Sequence, residues 1–130
     1  MHLFPQAKFI FLWRNPISVS SSIIRTWGKG NWNLFRYRID LEHGPHNLVE
    51  TYRAHAETAI AIQYEQLVRD PQSVSKRLFE YLELDYQSEV PDGFEGVELK
   101  GSMGDRTGMR YGASISTDSL TAWSEMLGVL

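Results

Sequence analysis

Five apolar residues in unbroken succession, Phe9-Ile10-Phe11-Leu12-Trp13, are followed at once by Arg14, Asn15 and Pro16. A short apolar run of this kind reads as a strand buried on both faces, the pattern of a parallel sheet covered by helices. A cation at its end then stands at the carboxyl edge of the sheet, where open α/β sheets bind ligands. Asn15 can cap a helix and Pro16 suits its first turn. Arg14 and that helix N-terminus would face one point in space. Both favour an anion, with phosphate the first candidate.

The rest of the chain sets limits on what can surround this edge. Its 130 residues suffice for one domain with a real core, and we read 1–130 as a single domain. An apolar fraction of 42% with 22% charged residues describes a soluble globular protein. A net charge of -3 argues against a dedicated nucleic-acid binder, which carries a basic excess. The absence of cysteine excludes disulfides and thiolate metal sites and fits a reducing, cytoplasmic location. Phe9–Trp13 is the longest clearly apolar run and is far too short to span a membrane.

Along the chain, Lys8–Arg14 reads as the first strand and Pro16 to about Trp27 as a helix. Val19, Ile23 and Trp27 recur at four-residue steps beside Ile24, a stripe expected to face the sheet. Ser18, Ser22 and Arg25 lie on another face. Gly28-Lys29-Gly30-Asn31 breaks the helix, and an aromatic, basic stretch follows from Trp32 to Asp40. Gly44-Pro45 reads as a turn, and Leu48 to about Glu57 as a helix. Ala59-Ile60-Ala61-Ile62-Gln63-Tyr64 is the second strand, with the isoleucines and Tyr64 on one face and the alanines on the other. Asp70-Pro71 opens a helix carrying Val74, Leu78, Phe79 and Leu82. Between Asp92 and Gly112 lie six of the ten glycines, with Lys100, Arg106 and Arg110, so this segment reads as a loop. Ser116-Thr117-Asp118 opens a last helix with Leu120, Trp123 and Leu127.

Three blocks of residues carry a family resemblance. They are Phe4-Pro5-Gln6-Ala7-Lys8 through Pro16 with Ser22, Gln63-Tyr64-Glu65-Gln66-Leu67-Val68-Arg69-Asp70-Pro71, and Gly104-Asp105-Arg106 through Ile115 to Trp123. In order and spacing the chain resembles the C-terminal part of a sulfotransferase that uses 3′-phosphoadenosine 5′-phosphosulfate (PAPS), in its bacterial type. The resemblance runs from about Leu3 to Leu127. It implies a P-loop-like parallel sheet flanked by helices, present here in part. The family's 5′-phosphosulfate loop and catalytic histidine are expected to precede the first block. His2, His43, His46 and His55 do not match that histidine's place, so no catalytic residue is assigned.

The resemblance also implies the binding residues. Arg14 and Ser22, eight positions on, match the pair that holds the 3′-phosphate of PAPS or of its product PAP, adenosine 3′,5′-bisphosphate. A guanidinium offers a planar fork of donors and a hydroxyl adds one more. Tyr64 matches the tyrosine near the adenine; the bland alternative is a core tyrosine under the helix at Pro71. Glu65 has a structural reading, as partner to a loop cation or acceptor for backbone donors. Lys100-Gly101 is the counterpart of a basic-glycine pair that folds over the cofactor, although Leu99 stands where many members carry a second basic residue. Arg106 and Arg110 are alternative contacts in that loop. No metal is expected, since His43 and His46 would need a third ligand from elsewhere.

The expected activity is sulfuryl transfer to the hydroxyl or amine of a small-molecule or glycan acceptor, once the fold is complete. Residues 27–38 can border the acceptor site or pack their aromatics inward. Two other readings stand beside it: an inert nucleotide-binding or interaction module, and a P-loop-like small-molecule kinase. An incomplete sheet also implies an unpaired strand edge beside Phe9–Trp13, through which copies would self-associate.

Overall fold

The computed structural model describes residues 6–91, 115 and 117–128. Strands β1 (Phe9–Trp13) and β2 (Ala59–Gln63) pair in parallel, from Phe9 opposite Ala59 to Trp13 opposite Gln63. The crossover between them contains α1 (Pro16–Thr26), a 3-10 turn at Leu34–Tyr37, a π turn at Ile39–His43 and α2 (Gly44–Ala54). A single 3-10 turn, Ala56–Thr58, leads into β2. Helices α3 (Tyr64–Arg69) and α4 (Pro71–Leu82) follow, and α5 (Asp118–Leu127) lies later in the chain. The class is α/β, with a parallel pair flanked by helices, as the sequence implies.

Residues opposite one another in a parallel ladder share a face. One face therefore combines Phe9, Phe11 and Trp13 with Ala59 and Ala61, bulky rings beside small methyls. Tyr52 of α2 meets the rings of Phe11 and Trp13 edge-on, with centroids 5.3 and 5.7 Å away, and His55 lies 4.5 Å from Phe9. On the other face Ile62 is buried, but Ile10 and Leu12 remain 48% and 51% exposed. Burial on both faces, expected for β1, holds on the Phe11 side alone. The elements that cover β2 on the second face leave its neighbour half open.

Capping follows the sequence. The Asn15 side chain accepts from the Ile17 N–H at 2.9 Å, and Asp70 accepts from the Ser73 N–H at 3.1 Å. Gly28 ends α1 where a side chain could not fit, since a Cβ there would lie 2.8 Å from the Ile24 carbonyl. Gly44-Pro45, expected as a turn, instead opens α2. Proline in the first helical turn loses no ladder hydrogen bond, so the same dipeptide serves either end of a helix. Helix α2 starts earlier than expected and stops at Ala54.

Helix α1 buries a different stripe from the apolar one. Its buried residues are Ser18, Ser21 and Ile24, while Trp27 beyond its end is 66% exposed. The small serines admit α5, which packs on α1 with Ser124 buried and the Ser21 hydroxyl 3.6 Å from the Met126 sulfur. Among the described residues the buried apolar side chains are Phe11, Ile24, Ile62, Val68 and Val74.

Helix α4 ties the strands' entry ends together. The Tyr81 hydroxyl accepts from the Phe9 N–H at 3.0 Å and donates to the Thr58 carbonyl at 2.5 Å. Arg77 donates to the Ala61 carbonyl at 3.2 Å. At the surface Lys8 donates to Glu83 at 2.8 Å and to the Tyr81 carbonyl at 2.9 Å.

Candidate functional site

Both strands end at the same rim, and each hands over to a helix within two residues. Arg14 leaves β1 one residue before the cap of α1. Tyr64, expected as the last residue of the second strand, is the first residue of α3, because β2 closes at Gln63. The parallel register aligns Trp13 with Gln63, so Arg14 and Tyr64 are the next positions on adjacent strands. That register brings them together: the Arg14 guanidinium carbon lies 4.3 Å from the centre of the Tyr64 ring. The distance is that of a cation–π contact.

Among the described residues no carboxylate pairs with Arg14. Its Nε is buried and has no hydrogen-bond partner among the described residues. A buried donor left unpaired costs about 1–3 kcal/mol, so such groups call for an explanation.

The neighbouring carboxylate is engaged elsewhere. Glu65 Oε1 accepts from the Asn15 backbone N–H at 2.8 Å. The Tyr64 hydroxyl lies 2.9 Å from the Ser119 hydroxyl, which ties α5 to the rim. Ser22 sits half-buried as the seventh residue of α1, on its second turn. Lys100 and Gly101, with Arg106 and Arg110, lie outside the described residues.

Sequence reasoning singled out Arg14, Ser22 and Tyr64 and read Glu65 as an acceptor for backbone donors, which it is, but missed the part played by Ser119. Glu65 carried a signal in its adjacency to Tyr64 at a strand end. Ser119 carried none, because its contact spans 55 positions.

The remaining polar features have other partners. His55 Nδ1 is 2.9 Å from the Thr51 carbonyl and its ring packs on Phe9. Among the described residues no cluster of His, Asp or Glu could hold a metal ion, and no helix is long and apolar enough to cross a membrane. A separate cleft of about 230 Å3 lies at the α3–α4 corner between Gln66, Arg69, Asp70, Ser73 and Arg77. There Asp70 caps α4 and Arg77 serves the Ala61 carbonyl.

A parallel strand pair with an arginine and a tyrosine in contact at its carboxyl rim is the α/β arrangement in which ligands commonly bind at that rim. The family match is more specific. The Sulfotransferase family description matches residues 1–88 of the 130, and the chain belongs to that family. No curated protein and no solved structure matches it. Its function is accordingly of the sulfotransferase type in general terms.

Proposed function

We propose that this chain binds the nucleotide part of PAPS, or of its product PAP, with Arg14 on the 3′-phosphate. One observation carries the reading. The Arg14 guanidinium carbon lies 4.3 Å from the centre of the Tyr64 ring at the carboxyl rim, and no described carboxylate pairs with it. A guanidinium can donate to a phosphate oxygen, and a charge-assisted bond of that kind is among the stronger ones available. Ser22 adds a hydroxyl from the second turn of α1, and Tyr64 lies beside the nucleotide. Lys100-Gly101 closes over the cofactor in this reading, and residues 1–130 act as one domain.

In the complete protein the bound donor passes its sulfuryl group to an acceptor hydroxyl or amine on a small molecule or glycan. The physics is that of in-line group transfer, with cations on the developing charge and a base for the acceptor proton. This chain's described residues supply the grip on the nucleotide. The reading involves no metal, nucleic acid or membrane and places the protein in the cytoplasm. It also gives the open edge of β1 to a second copy of the chain. Titration of the chain with PAP tests the binding, with Arg14→Ala as the control.

A further inference from the structure

Asn15 is the cap of α1, and its own N–H lies outside the helical ladder. In a capping box that N–H is taken by a glutamate or glutamine three residues into the helix. Here that position is Ser18, which is buried and too short for the reach. The carboxylate comes instead from across the sheet, as Glu65 Oε1 at 2.8 Å, fifty positions away.

The consequence is a link at two points. Arg14 and Asn15 are adjacent on one bend, and Tyr64 and Glu65 are adjacent on the other. The Tyr64 ring meets the Arg14 side chain, and the Glu65 carboxylate meets the peptide immediately after it. One contact would leave the bend free to pivot. Two contacts between two short rigid units fix both its position and its rotation.

The choice of partner matters as well. Glu65 is half-buried and follows the tyrosine that meets the Arg14 guanidinium, and its described bond goes to a backbone N–H. A carboxylate forked onto Arg14 would compete with an anionic ligand for the same donors.

We infer that Glu65 is a positioning residue for the Arg14 site, capping α1 from the first turn of α3 and holding the guanidinium on the Tyr64 ring. Its effect is preorganisation, which strengthens binding by removing an ordering cost from the ligand step. This inference rests on the reading of Arg14 as the 3′-phosphate residue.

The test compares PAP with adenosine 5′-phosphate, which lacks the 3′-phosphate, by calorimetry on the full chain. Glu65→Asp keeps the charge and shortens the reach by one methylene. Glu65→Gln loses the charge and keeps an acceptor oxygen at the same reach. We expect Glu65→Asp and Glu65→Ala to lose roughly tenfold in PAP affinity, the scale of one charged hydrogen bond, with adenosine 5′-phosphate unchanged. Glu65→Gln should keep most of the preference for PAP. Should Glu65→Ala not fold, the other two variants decide. An unchanged preference in Glu65→Asp would overturn the inference. Equal losses for both ligands, or a larger loss in Glu65→Gln than in Glu65→Asp, would overturn it too. Arg14→Ala separates the levels. If it leaves the preference for PAP intact, the phosphate reading itself fails; if it abolishes the preference while Glu65→Asp does not, only the role of Glu65 falls.

Discussion

The Arg14 guanidinium carbon stands 4.3 Å from the centre of the Tyr64 ring, and that ring is anchored at its far end by the Ser119 hydroxyl 2.9 Å from its own. The arginine is thus held by a surface that fixes its position without cancelling its charge. Removing the ring with Tyr64→Leu should weaken PAP binding by about 0.5–2 kcal/mol, the range of a cation–π contact. Tyr64→Phe keeps the ring but loses its tie to Ser119, and should weaken PAP binding less than Tyr64→Leu does. Calorimetry on the two variants checks this, and equal affinity for Tyr64→Leu and the parent would show that the ring does not support the site.

Tyr81 joins the entry ends of both strands through one hydroxyl, between the Phe9 N–H and the Thr58 carbonyl. Tyr81→Phe leaves those strand groups without that partner. We expect a loss of about 1–3 kcal/mol in unfolding free energy, the cost of unpaired polar groups at a partly buried position. Urea denaturation followed by circular dichroism measures it.

The Lys8 ammonium, bonded to Glu83 at 2.8 Å, holds the Glu83 carboxyl below its ordinary value of 4.5. A carboxyl depressed in the folded state stabilises the fold above its unfolded value, and the contribution fades as pH falls through the folded one. Glu83→Gln should therefore be slightly less stable than the parent near neutral pH. The gap should close as the pH drops below 4.5. Glu83 is 83% exposed, so high salt should also shrink the gap. Urea midpoints across pH, at low and high salt, provide the check.

Much of this architecture was legible in the sequence for local reasons. The apolar run Phe9–Trp13, the alternation through Ala59–Gln63 and the caps at Asn15 and Asp70 each announce themselves within a few residues. The buried face of α1 did not. Ser18 and Ser21 are polar in isolation yet interior in the fold, where α5 packs on α1 and Ser21 meets Met126, 105 positions away. Gly44-Pro45 misled because a proline that ends one element is equally suited to begin the next. Arg14 and Tyr64 could each be marked as rim residues, but their contact depends on strand register, which no single segment specifies. Glu65 was legible as an acceptor for backbone donors, but which N–H it takes was not, since its partner belongs to the other strand's bend.

Among the described strands β1 pairs on one side only, and its Ile10 and Leu12 are about half exposed. An uncovered edge beside apolar side chains invites pairing with another chain. We expect the chain to elute above its monomer mass in size-exclusion chromatography and to shift toward monomer on Leu12→Lys. A concentration-independent monomer would show that the edge does not associate.

The measurement that bears most directly on the central claim is a calorimetric titration of PAP into the parent chain and into Arg14→Ala, under one buffer and salt. The account predicts binding by the parent and a loss of about 1.5–3 kcal/mol in the variant, as one charged hydrogen-bonding group disappears. Equal affinity in the two proteins would contradict it.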